Sequence, residues 1–107
     1  MDRRLQAIAE LLATVRTLRS PGGCAWDRRQ TISSLRPFML EEAYEVADAI
    51  SGGSMDEVRR ELGDLLLHVL MMSTIAEEAG EFDLAEVADG IRGKLVRRHP
   101  HVFDEES

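Results

Sequence analysis

Apolar residues recur at a period near 3.6 along almost the whole chain, and no stretch alternates at period two. Glycine and proline interrupt this pattern at a few places, most densely at Ser20-Pro21-Gly22-Gly23. A chain punctuated in this way has long helices to bury and no strands to pair, so the expected class is all-α. Four helices are predicted, spanning about 2–19, 34–52, 54–79 and 83–98, in a four-helix bundle-like arrangement. Residues 20–33 between the first two are read as a long loop. Pro37 is expected in the first turn of the second helix, where a missing N–H does little harm. Gly52-Gly53 closes that helix. Ser54-Met55-Asp56-Glu57 reads as a capping box opening the third helix, and Gly80 ends it. The fourth starts at Asp83 and stops before Pro100. Gly90 and Gly93 weaken it by roughly 1 kcal/mol each relative to alanine, or mark a close helix approach. The tail from His101 to Ser107 is expected to be loose.

With 107 residues the chain is read as a single domain, 1–107. A core this thin gains from association, because a second copy would cover apolar helix faces. The formal net charge of −7 disfavours stable binding to nucleic acid or to an anionic membrane. Cys24 is the only cysteine, which excludes an internal disulfide and fits a reducing cytoplasm. The segment from Met1 to Leu12 mixes charges with its apolar residues, unlike a secretory leader. The greasiest run, Leu65 to Met72, is interrupted by His68 and is too short to span a bilayer.

The residues that break the helical pattern are acids. On the second helix Leu35, Phe38, Met39, Val46, Ala49 and Ile50 share one side; Glu42 falls inside that arc and Glu45 at its edge. On the third, Val58, Leu62, Leu65, Val69 and Met72 define the expected buried stripe, with Glu61 on its border and Asp64 beside it. Each helix therefore carries an acid-x-x-acid pair, whose members are neighbours on a helix surface. Ionised carboxylates in an apolar setting are expensive, and four together repel. A divalent cation removes both penalties. An all-oxygen ligand set with no cysteine suits Mg²⁺, with Mn²⁺ as a substitute. Glu41, Asp48, Glu57, Glu77, Glu78 and Glu86 are read as solvated helix faces.

The run Glu41-Glu42-Ala43-Tyr44-Glu45, followed by Glu61-Leu62-Gly63-Asp64, resembles the E-E-x-x-E … E-x-x-D signature of MazG-like nucleotide pyrophosphohydrolases. The segments from Cys24 to Thr31 and from Lys94 to Phe103 are similar to the same family, although the proline often found before the tryptophan is missing at Ala25. The resemblance implies an all-α NTP pyrophosphatase fold, assembled as a dimer or a higher oligomer such as a tetramer. It implies cleavage of a nucleoside triphosphate between the α- and β-phosphates, releasing a nucleoside monophosphate and pyrophosphate. By motif position, Glu42, Glu45, Glu61 and Asp64 would hold Mg²⁺, and Glu41 would orient water or a ligand from behind.

Chemistry of this kind needs cations near the leaving pyrophosphate. Lys94 and Arg98, one turn apart on the fourth helix, are the candidates, and the more outward Arg97 is a weaker one; their bland role is to complement the helix dipole. Trp26 either stacks on the nucleoside or anchors its loop. His68 is expected to be a hydrogen-bonded core residue, and Cys24, Met39, Met71 and Met72 to be structural. Two alternatives stay in view. One is a carboxylate-bridged di-metal protein of the ferritin-like class, against which the lack of any Glu-x-x-His counts. The other is a non-catalytic helical interaction module.

Overall fold

The computed structural model describes residues 1–104. They form six helices and no strand: α1 Arg3–Arg19, α2 Ala25–Arg29, α3 Ile32–Gly52, α4 Met55–Glu78, α5 Leu84–Arg98 and α6 Pro100–Phe103. The class is all-α, as expected. None of these helices is long and apolar enough to cross a membrane.

Side-chain caps set most of the starts. Asp2 accepts from the Arg4 N–H at 2.7 Å, and Asp83 accepts from the Glu86 N–H at 2.9 Å. The start of α3 differs from expectation. The Thr31 hydroxyl accepts from the Ser34 N–H at 3.0 Å, while the Ser34 hydroxyl accepts from the Thr31 N–H at 2.8 Å. This reciprocal cap moves the boundary upstream of Ser33, because Thr31 and Ser34 satisfy each other's free donors. Pro37 consequently falls in the second turn of α3, where the Ser33 carbonyl loses its helical donor. At the start of α4 the Ser54 hydroxyl accepts from the Glu57 N–H at 3.2 Å. The Glu57 carboxylate instead folds back over Gly53, within 2.5 Å of where a Cβ on that glycine would stand. Gly80, at φ +72°, closes α4 in the left-handed region, and the Glu81 N–H reaches back to the Ala76 carbonyl at 2.9 Å.

The predicted loop 20–33 contains a short helix, α2. Gly23 makes the turn into it possible. A Cβ there would stand 2.3 Å from the Leu18 carbonyl oxygen and 2.4 Å from that of Thr17. With no side chain, the strand of backbone after α1 folds onto its end, and the Cys24 N–H donates to the Leu18 carbonyl at 2.9 Å. The expectation of a loose tail also needs correction for residues 101–103. Proline cannot continue α5, but it is pre-shaped for the first residue of a new turn, and α6 follows. Residues 105–107 lie outside the described residues.

α4 is the central element. It pairs along much of its length with α3, and α1 and α5 lie against α4 rather than against α3. The core consists of Val15, Leu35, Leu70 and Met71, with Leu11, Leu12, Leu66, Leu67, Met72, Ile75 and Leu84 packed around it. The stripe expected on α4 is displaced. Leu62 is 50% exposed, whereas Leu70, Met71 and Ala76 are buried. Ser73 and Thr74 share that buried surface, their hydroxyls donating to the Val69 and Leu70 carbonyls.

The four long helices do not close into a compact bundle within one chain. The radius of gyration is 16.5 Å and the extents are 54 × 40 × 30 Å, against about 13 Å for a compact domain of this length. Apolar side chains stay outside as a result. Val87, Ile91 and Leu95 line one face of α5, and Leu5 on α1 is also exposed.

Candidate metal centre

The tight link at Gly52-Gly53 folds α3 and α4 back to back, which carries their acid pairs to one place. Glu42, Glu45 and Glu61 each offer a carboxylate oxygen within 4.8 Å of the others. Glu42 and Glu61 are half-buried. One oxygen of each, Oε2, is fully covered and has no hydrogen-bond partner. Leaving a buried acceptor unsatisfied costs about 1–3 kcal/mol, more when it is charged. Nearby cations do not relieve the crowding. Arg59 and Arg60, just ahead of Glu61, both pair with Asp56, Arg59 at 2.5 Å.

Asp64 stands apart from this triplet and is exposed. It is still close enough for its charge to act on Glu42 and Glu61. Glu41 is exposed on the outer side of α3. Burial, then the charges of Glu45 and Asp64, push the Glu42 carboxyl up to about 7. Burial, then hydrogen bonding and charge from Glu45, push Glu61 up as well. In the metal-free protein both carboxyls are therefore harder to ionise than an isolated glutamate.

A raised carboxyl pKa carries a definite sign. The folded state binds protons more tightly, so its stabilising contribution is complete below the ordinary glutamate range and fades as pH rises toward 7. The metal-free protein is expected to lose stability between pH 5 and 8 in denaturant titrations, and millimolar Mg²⁺ should remove the difference. A flat profile, or one that Mg²⁺ leaves unchanged, would contradict the crowding seen at Glu42.

The oxygen-only triplet fits a hard divalent cation, which would satisfy both orphaned Oε2 atoms and cancel the repulsion. No histidine belongs to the cluster among the described residues. That is unlike the Glu-x-x-His sites of di-iron bundles.

Lys94, Arg97 and Arg98 lie exposed near the end of α5, and no ion pair joins them to these acids among the described residues. Arg97 folds over Gly93, its Nη1 standing 3.2 Å from where a Cβ would be. Trp26 on α2 packs edge-to-face on Phe38 of α3, with ring centroids 5.8 Å apart and planes at 74°. This contact anchors α2 and leaves Trp26 46% exposed.

Sequence reasoning missed the role of Arg19 and the surroundings of His68. Arg19, at the predicted end of the first helix, carries a side chain that is 9% exposed and grips the Glu78 carboxylate with two hydrogen bonds, 2.8 and 2.9 Å. Glu78 is thus exposed, as expected, and also an ion-pair partner, and Glu77 likewise pairs with Arg16 at 2.7 Å. His68, expected to be hydrogen-bonded, has a buried Nε2 without a partner. Periodicity assigns a residue to a face, and it cannot say which group lies across from it.

The acid pairs on α3 and α4 lie within a segment, residues 30–103, that matches the model of the MazG nucleotide pyrophosphohydrolase domain. The chain belongs to this family. Among curated relatives, it is 48% identical over 94 residues to the nucleoside triphosphate pyrophosphohydrolase/pyrophosphatase MazG of Thermotoga maritima, covering 88% of this chain and 37% of that protein. It is 45% identical over 104 residues to the nucleoside triphosphate pyrophosphohydrolase of Escherichia coli K12, covering 96% of this chain and 40% of the relative. The corresponding protein of Mycobacterium tuberculosis is 43% identical over 108 residues, 99% of this chain and 33% of its own length. The chain thus spans about two fifths or less of these MazG relatives.

Proposed function

We propose that this MazG-family chain is a Mg²⁺-dependent nucleoside triphosphate pyrophosphohydrolase that cleaves between the α- and β-phosphates. The products would be a nucleoside monophosphate and pyrophosphate. The observation that carries this reading is the convergence of Glu42, Glu45 and Glu61, with two buried carboxylate oxygens lacking any partner. The names of its relatives favour the same substrate class.

Glu42, Glu45 and Glu61 would hold the metal, with Asp64 completing the set from its more exposed position; Mn²⁺ would substitute. Bound there, the cation would neutralise phosphate charge and lower the pKa of a coordinated water. Glu41 would orient water or a ligand from the outer side of α3. Lys94 and Arg98, with Arg97 outside them, would meet the charge of the departing pyrophosphate. Trp26 would present its exposed face to the nucleoside.

Residues 1–107 act as one domain in this reading, and a homodimer or homotetramer is the working form. The exposed apolar faces of α5 and α1 support that assembly, since a lone chain leaves Ile91 and Leu95 about half exposed. A cytoplasmic enzyme with a lone unpaired cysteine is consistent with it.

The test is a panel of ribo- and deoxynucleoside triphosphates incubated with Mg²⁺, with pyrophosphate resolved from orthophosphate. Pyrophosphate and monophosphate in equal amounts are expected. Orthophosphate as the primary product overturns α–β cleavage, and an absence of turnover on every nucleotide overturns the activity.

A further inference from the structure

Three buried polar side-chain atoms lack a partner among the described residues: Oε2 of Glu42, Oε2 of Glu61 and Nε2 of His68. A cation answers the two oxygens. It does not answer His68, which follows Glu61 by two turns of α4, about 10 Å along the helix at ~1.5 Å per residue. Buried polar groups in folded proteins are overwhelmingly paired, so an orphan on a functional face calls for a partner from outside the chain, a ligand or an ordered water.

The helix register indicates which part of a ligand would reach it. α3 and α4 run in opposite directions, and Glu42 and Glu45 stand level with Glu61. Two turns forward along α4 lead to His68, and two turns back along α3 from Glu45 lead to Phe38. Leu35 packing with Leu70 and Met71 keeps the same register. His68 therefore lies level with the Trp26–Phe38 pair, residues that remain 46% and 42% exposed. One end of the α3–α4 hairpin offers carboxylates for a metal-bound triphosphate. The other offers aromatic surface and a single unsatisfied ring nitrogen.

We propose that His68 is a specificity-determining residue that hydrogen-bonds through Nε2 to the nucleoside of the substrate, held against Trp26 and Phe38 while the triphosphate lies over the acids. The inference rests on the pyrophosphohydrolase reading. To reach Nε2 the nucleoside must displace side-chain packing, as a cation must to reach the equally covered oxygens of Glu42 and Glu61. A site built to hydrogen-bond a substrate group discriminates strongly against nucleotides that lack it, because the protein's buried partner is then left unpaired.

The experiment compares wild type with H68L, H68N and H68Q on the nucleotide panel, and measures the Mg²⁺ affinity and thermal stability of each. Leucine fills the space without a polar atom, and asparagine is too short to reach. Glutamine places an amide near the position of Nε2. For H68L and H68N, kcat/KM on the preferred nucleotide should fall about 10- to 30-fold, mostly through KM, with preference among nucleotides flattened. H68Q should keep much of both. Mg²⁺ affinity should stay unchanged in all three, and H68L should be at least as stable as wild type, since it removes an unsatisfied buried atom. A folded H68L or H68N with wild-type KM and preference overturns the proposal. Loss of Mg²⁺ affinity also overturns it, because it would move His68 into the metal site. If wild type itself turns over no nucleotide, it is the underlying activity that fails, and this is seen before any variant is compared.

Discussion

Replacing Glu42 or Glu61 by glutamine is expected to lower nucleoside triphosphate hydrolysis about 1000-fold while making the metal-free protein more stable. Glutamine keeps the shape of the side chain and discards its charge. In the metal-free state that charge is a liability: burial and neighbouring acids already push Glu42 up to about 7, and Glu61 is raised for similar reasons. Removing one charge relieves Glu45 and Asp64 as well. The same substitution withdraws an anionic ligand from the cation and weakens its hold on the phosphates. The two effects must appear together, in opposite directions. Single-turnover rates, calorimetric Mg²⁺ titration and denaturation of the metal-free protein read them separately. Retention of activity within tenfold, with Mg²⁺ affinity intact, would falsify the assignment of the cluster as the metal site.

Arg19→Met is expected to destabilise the fold by about 2–3 kcal/mol, below the range for breaking a fully buried pair because Glu78 is partly exposed. Methionine preserves the apolar stem and removes only the guanidinium. That group donates to the Glu78 carboxylate and also to the carbonyls of Asp27 at 2.5 Å and Gln30 at 3.1 Å. It therefore ties the ends of α1 and α4 to the C-terminal half of α2. Without it, the Gln30 carbonyl and the Glu78 carboxylate lose this donor, and the Asp27 carbonyl keeps only the Gln30 N–H at 3.3 Å. Urea denaturation at neutral pH measures the loss, and a change below about 0.5 kcal/mol would show that α2 is held by Trp26 and Gly23 without help. The pair also carries an acid signature. Arg19 hydrogen bonding holds Glu78 below the usual carboxylate range. Its contribution is present above that range and disappears as pH falls through the lowered value. The difference between wild type and the methionine variant should shrink in acid.

Local chemistry accounts for what was legible in the chain. Helical periodicity, the starts at Ser54 and Asp83, and the stops at Gly52-Gly53 and Gly80 are decided within a few residues of each boundary. So is the presence of acid-x-x-acid pairs on faces that otherwise read as apolar. Boundaries slipped where two local solutions competed, as when the Thr31–Ser34 exchange prevailed over a start near residue 34. The helix at 25–29 was missed because five residues are too short for a period to show, and its stability comes from Arg19 and Phe38.

By itself the sequence determined an all-α chain with acids at helical spacing, since both depend only on backbone geometry and on neighbours one turn away. Tertiary structure decided the rest: which three acids share a point, that Asp64 stands outside it, that His68 Nε2 is left without a partner among the described residues, and that α1 and α5 lean on α4 and leave apolar faces open. Those outcomes depend on how two helices are rotated and slid against each other, and a shift of one residue along a helix turns a side chain by about 100°. Rotation and slide are set by the fit of every side chain across the interface at once, so no single segment of the chain contains them.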